Sequence, residues 1–201
     1  MNQIFYKYKL TSDAIHIGDR YKGGIFKPTI DYLRATTITF ALRKYFNDDT
    51  IYAYGKKIFG IKKVMVRNIM DRANRTGKTT GTRGPIQVEI IENAQCEVIV
   101  NKKLDDEIEI KLGGFLNLGL GISKLKLIDE ISNIQIARIK LESAIPIEWS
   151  NDFGIRNIEL EIIGYLHFPS KDNPFGVGKY KKSYFPGTIL YGPSFLGRPL
   201  N

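Results

Sequence analysis

The chain has 201 residues, 43% of them hydrophobic and 25% charged, so it can bury a core unaided and disorder is excluded as its default state. A single cysteine, Cys96, excludes an internal disulfide and a cysteine-based zinc site, and with only His16 and His167 besides, no structural transition-metal centre is expected. The formal charge of +9 is uneven, with 17 Lys/Arg against 6 Asp/Glu in residues 1–86, 8 against 14 in residues 87–170, and 5 against 1 in residues 171–201.

That asymmetry points to one face meeting a polyanion, against the plainer reading of lysines that only keep a protein soluble. The opening MNQIFYKYKL lacks the apolar core and cleavage site of a signal peptide. The longest uncharged run, residues 183–197, is too short to span a bilayer. A cytoplasmic protein without a membrane partner is expected.

In chain order, residues 3–10 and 14–17 alternate loosely and read as a first strand with a bend near Thr11–Ser12. Gly18, Gly23, Gly24 and Pro28 mark a loop. TTITFALRKYF then sets Ile38, Ala41, Leu42, Tyr45 and Phe46 at helical spacing, with Thr36 or Thr37 as cap, Asn47–Asp48 as stop, and Thr39, Arg43 and Lys44 on the polar side. Strands are expected at 50–54 and 62–70. Residues 72–85, RANRTGKTTGTRGP, read as a mobile loop. Residues 86–100 read as strand with a kink around Glu92–Asn93. For 103–112, Leu104, Ile108 and Leu112 fit a helix and Ile108, Ile110 and Leu112 a strand; the helix is preferred because glycines at 113–114 make a natural stop. Further strands are expected at 123–128, 134–141 and 155–168. The last thirty residues read as an extended tail lying on a surface or ordered by a partner.

Two stretches look like phosphate loops. GKTT at 77–80 has Arg72 where a P-loop needs its first glycine, and TTGTRGP cannot open a helix, so an ATP site is not expected. GGFLNLGLGISKLKL, residues 113–127, lacks the dinucleotide spacing and leads into a strand, which deprives a pyrophosphate of its helix N-terminus. Its glycines then either let backbone amides approach a ligand or allow tight packing against a neighbouring helix. No cofactor is expected.

Four segments taken in order resemble the RAMP superfamily of CRISPR-associated proteins, and within it the backbone subunits of type III RNA-guided effectors. They are IHIG at 15–18, LRATTITFALR at 33–43, IFG at 58–60 with VMVRNIMD at 64–71, and the glycine-rich stretch at 113–127. Together they cover roughly residues 3–128, close to two thirds of the chain. The resemblance implies an α+β fold with a ferredoxin-like (RRM-like) βαββαβ core over 1–128; residues 129–201 have no match in it and read from their own pattern as a β-rich extension and Gly/Pro/aromatic tail. It also implies RNA binding, a role in antiviral defense, and as partners single-stranded or guide RNA with other effector subunits or further copies of the chain. The departures matter. Leu116, Leu118 and Ile122 stand where relatives carry basic loop residues, and in GGIFKP, residues 23–28, Phe26 stands where target-cleaving relatives have an aspartate. That RNase activity is therefore not expected.

The residues assigned to RNA are Lys22, Arg43, Arg67, Arg72, Arg75, Lys78, Arg83, Gly113, Gly114, Gly119, Gly121 and Lys124. The preferred reading is a non-catalytic subunit. Two alternatives are a metal-independent endoribonuclease with His16 as general base, attacking through the RNA's own 2′-hydroxyl, and a protein-only scaffold. His16 between Ile15 and Ile17 also reads as a structural histidine. For His167 the sequence alone points to no catalytic partner, and Asp19 or Asp31 could stand in for the missing acid. Asp105, Asp106, Glu107 and Glu109 read more simply as a solvated face than as a metal site. Tyr52 and Tyr54, flanked by Lys56 and Lys57, could stack on bases or be buried in a sheet core. If the 72–83 loop meets phosphates, replacing Arg72, Arg75, Lys78 and Arg83 by Ala flattens the salt dependence of RNA affinity, which falls by about 0.7 log units per log unit of salt for each neutralised phosphate. An unchanged slope in a salt titration would clear that loop of a role.

Overall fold

The computed structural model describes residues 4–18, 26–69, 84–116, 119–168 and 178–200. Its centre is β1 (Phe5–Ile15), in which Tyr8 and Leu10 turn inward while Lys9 faces water. β5 (Gly84–Val100) pairs antiparallel with one edge of β1, and β7 (Ile122–Ile131) pairs antiparallel with the other. β6 (Glu107–Lys111) lies beyond β7. On the far edge of β5, β3 (Ala53–Gly55) meets residues 98–100 and β4 (Phe59–Ile69) meets residues 84–95, while β2 (Phe26–Lys27) runs parallel to Gln87–Val88. These seven strands form one sheet. The expected kink in β5 is present: Asn93 has φ +50°, and the register of β4 slips between Phe59 and Ile61 opposite it. A short polar side chain tolerates that left-handed backbone.

α1 spans Ala35–Phe46 and ends where Asn47 turns left-handed, its neighbour Asp48 also reaching back to the Arg43 carbonyl. The start differs from the sequence expectation. Arg34 occupies the cap position without a side-chain cap bond, so Thr36 and Thr37 lie inside the first turn. Thr39 is not on a polar side either. It is fully buried, donates to the Ala53 carbonyl at 3.0 Å and accepts the Ala53 N–H at 2.8 Å, tying helix to β3. Ile38 and Leu42 pack on the sheet with Tyr8, Leu10, Val98 and Leu125.

Residues 103–112 do not form a helix. β6 buries Ile108 and Ile110 and exposes Glu107, Glu109 and Lys111, a period of two that the edge of β7 rewards with ladder bonds. The local pattern was compatible with both periods; a non-local partner decides it.

The remaining strands make two smaller sheets. β8 (Ile136–Leu141), β10 (Asn157–Leu160), β13 (Ile189–Pro193) and β14 (Gly197–Pro199) run in the order β10–β13–β8–β14. β9 (Ile145–Pro146), β11 (Ile163–Phe168) and β12 (Lys179–Tyr184) run in the order β11–β12–β9. The 155–168 run is thus two strands. Nor are the final residues a surface tail: 179–199 supply three strands, and Leu190 and Leu196 are fully buried. They join a second core with Phe5, Tyr54, Ile99, Trp149 and Phe153, against which the helix lays Ala35 and Phe40. The helix is therefore held on both sides. No helix among the described residues is long and apolar enough to cross a membrane.

Tyr54 links the sheet to the C-terminal strands. It is fully buried, donates to the Leu196 carbonyl at 2.6 Å and accepts the Ser143 N–H at 2.9 Å. Burial pushes its hydroxyl pKa far above the usual value, against the backbone N–H groups of Ser143 and Glu142, so it stays a neutral donor. Tyr54→Phe strands the Ser143 N–H in a dry site and leaves the Leu196 carbonyl only the Glu142 N–H at 3.4 Å, and is expected to cost about 1–3 kcal/mol in urea denaturation, with the circular dichroism of the folded chain unchanged.

Candidate nucleic-acid groove

β1 ends at Ile15, and the next three residues carry the chain past the start of α1. The glycine-rich stretch is strapped to that same end. Gly114 N–H donates to the His16 carbonyl at 2.8 Å, and Gly121 N–H donates to the Ala14 carbonyl at 2.8 Å. A Cβ on Gly113 would sit 2.2 Å from the His16 oxygen, and one on Gly121 would sit 1.9 Å from the Leu112 oxygen. Both residues also have φ near +80°, so only glycine fits. Gly119 N–H is taken by the Leu116 carbonyl at 3.1 Å. Three of the four glycine amides are thus engaged inside the loop and its support. The loop's partner is the end of β1; among the described residues no second α-helix lies there.

This packing leaves a groove of about 530 Å³ lined by His16, Ile17, Gly18, Arg34, Thr37, Gly113, Gly114 and Phe115. Three of the sequence segments that carry the resemblance meet in it. The first turn of α1 points its positive pole here and holds no acidic residue. Its Ala35 N–H goes to the Ala144 carbonyl and its Thr37 N–H to the Arg34 carbonyl. Arg34 donates to the Gly18 carbonyl at 3.3 Å, which sets the guanidinium across the groove. Arg34 and Thr37 were missed as site residues by the sequence reading. A helix start placed one residue before Thr36 was the signal that could have found them.

The other predicted residues are dispersed. Arg43 lies at the far end of α1, its Nε donating to the Ile51 carbonyl at 2.7 Å and its guanidinium 4.5 Å from the Tyr52 ring centroid. Gly119 and Lys124 line a separate groove of about 460 Å³ over β1 and β5, and Lys124 stands opposite Glu109 on β6. Arg67 belongs to β4, but its side chain, like the whole of Lys22, Arg72, Arg75, Lys78, Arg83 and Asp19, lies outside the described residues. Asp31 pairs with Lys57 at 3.9 Å. Glu107 and Glu109 face Lys126 and Lys124 across the strands. Tyr54 is buried and Tyr52 sits edge-on to Trp149, so that pair serves the core and offers no stacking face.

Several basic side chains of the N-terminal half meet the chain's own carboxylates. Glu97 takes Lys7 at 2.6 Å and Lys56 at 2.9 Å, and Glu92 takes Lys63 at 2.6 Å. Burial alone would raise the Glu97 pKa, but hydrogen bonds from the two lysines outweigh it and hold the carboxyl below its usual value. The groove combines a guanidinium with a helix pole.

His16 is 4% exposed. Its Nδ1 lies 2.7 Å from the Glu89 carbonyl, so it carries the proton and Nε2 keeps its lone pair. Nε2 is pressed against Gly18, where a Cβ would come within 2.9 Å, and the ring is edge-on to Phe115 at 4.9 Å. Burial lowers its pKa below the usual 6.5, despite the Glu89 carbonyl and charge. The unfolded chain therefore takes this proton first as pH falls. The contribution of His16 to stability is complete above about pH 6.5 and is lost as pH drops through the lower folded value. The urea midpoint is expected to fall from about pH 7.5 to about pH 5, and to fall less in His16→Asn, which keeps an N–H toward Glu89 without the titration.

No protein-family model matches the chain, and no curated protein matches it by sequence. Solved structures do. A chain of the cryo-EM structure of the type III-B Cmr-beta bound to cognate target RNA and AMPPnP, in its state 1, superposes with a TM-score of 0.59. The identity is 9%, over 92% of this chain and 86% of that one. A chain of the type III-B Cmr-beta bound to cognate target RNA superposes with a TM-score of 0.52 at the same identity and coverage. At such identity the likeness is one of fold: this chain is built like a chain of the type III-B Cmr-beta structures.

Proposed function

We propose that the chain is a CRISPR-associated RAMP-type subunit that holds single-stranded or guide RNA by its phosphate backbone without cleaving it. The observation that carries this reading is the meeting of residues 16–18, the start of α1 with Arg34 and Thr37, and Gly113–Phe115 around one groove. A phosphate there faces a guanidinium and the positive pole of a helix with no carboxylate in its first turn. The strand order β3–β5–β1–β7, with α1 between β1 and β3 in the chain, supports a ferredoxin-like core in which β6, at the sheet edge, takes the second helix's place in chain order. The likeness to chains of complexes bound to cognate target RNA supports an effector role with RNA and other subunits as partners.

The non-catalytic reading rests on two residues. His16 is buried, neutral and committed to the Glu89 carbonyl. Phe26, 43% exposed on β2, cannot accept a proton where target-cleaving relatives carry an aspartate. Incubation of labelled repeat RNA in chelator is expected to return it intact; cleavage that disappears in His16→Ala would favour the endoribonuclease.

Thr37→Glu tests the groove. A carboxylate in the first helical turn stabilises the helix, so the melting temperature holds or rises, while RNA affinity in fluorescence anisotropy falls by roughly tenfold through repulsion. Unchanged affinity would remove the groove from the RNA path and favour the scaffold.

A further inference from the structure

β11 and β12 pair so that Tyr165 stands opposite Lys182 and His167 opposite Tyr180. Directly opposed residues share a face of an antiparallel pair, so these four side chains lie together on one side of the hairpin. The other side is spent on the core: Leu166 is buried, and Phe168 packs edge-on to Phe40 and Trp149. The outward side stays open, with Tyr165 58% and Tyr180 50% exposed. The His167 ring meets Tyr180 edge-on at 5.7 Å between centroids. Among the described residues neither strand carries a carboxylate; of its lysines, Lys181 on the inner side pairs with Glu148 and Lys182 stands on the outward side.

The ribbon adjoins the groove. A second cavity of about 200 Å³ is lined by Arg34, Thr36, Thr37, Phe40, Leu166 and His167, and it shares Arg34 and Thr37 with the first. The two cavities thus meet at Arg34 and Thr37, and His167 on the second stands beside Tyr180.

We infer that the outward face of the β11–β12 hairpin is a base-stacking platform, on which Tyr165, His167 and Tyr180 receive unpaired bases of the strand whose phosphates lie in the groove. This rests on the RNA-binding reading above. Lys182, opposite Tyr165 among the exposed rings, suits a polyanion with flat apolar faces, and stacking tolerates any base. It assigns a task to the C-terminal strands.

The test uses the full chain and a labelled oligouridylate in fluorescence anisotropy. Tyr165→Ala with Tyr180→Ala is expected to lose roughly tenfold or more in affinity, with the salt slope unchanged because no phosphate contact is removed. Tyr165→Phe with Tyr180→Phe keeps the affinity, and ultraviolet crosslinking places the RNA on the peptides holding Tyr165 or Tyr180. Melting curves confirm that each variant folds. If the double alanine variant binds like wild type while Thr37→Glu loses affinity, the platform is overturned, the groove stands, and the tyrosines belong to a protein contact. If wild type itself binds no RNA, the groove reading fails and the platform with it.

Discussion

The close approach of the glycine-rich stretch to the end of β1 is the constraint on which the candidate site depends. Main chain meets main chain there, with Gly114 and Gly121 bonded to His16 and Ala14, and no room for a Cβ at 113 or 121. That contact fixes how far the stretch stands from α1 and hence the width of the groove. It also holds the His16 ring between Gly18 and Phe115, where burial keeps the imidazole uncharged. A glycine-rich signature that looks like a ligand loop serves first as a hinge-free support.

The groove gets its electrostatic character from placement more than from numbers of charges. Lys7, Lys56 and Lys63 are drawn to Glu97 and Glu92 on the sheet. Such half-exposed pairs add little stability, but they lessen the field those lysines offer to a polyanion. At the start of α1 the balance differs: the helix pole and Arg34 act together and the first turn has no acid. The helix itself is pinned between two cores, by Ile38 and Leu42 on one side and Ala35 and Phe40 on the other. A pole anchored in that way keeps its aim.

Much of this was legible in the residues. The spacing of Ile38, Leu42 and Phe46 located the helix, and Asn47 its end. Alternation located the strands, and Glu92–Asn93 the kink in β5. What failed did so where a distant partner decides. Over 103–112 two periods shared Ile108 and Leu112, and the free edge of β7 selected the strand. Glycines and prolines made 171–201 look unattached, because the second core that takes Leu190 and Leu196 is assembled from segments far apart in sequence. The glycines at 113–121 were flagged, yet what they press against, the carbonyls of His16 and Leu112, cannot be seen along the chain. Arg34 was passed over because the helix was expected to begin two residues later.

The bond between Tyr54 and Leu196 joins residues 142 positions apart. Contacts of that span add nothing until a long loop has closed, so folding is governed by loop entropy more than by local propensity. During synthesis the first sheet must wait, with the inner faces of Phe5, Tyr54 and Ile99 uncovered, until the last strands leave the ribosome. The nascent chain in that interval is the form most in need of a chaperone.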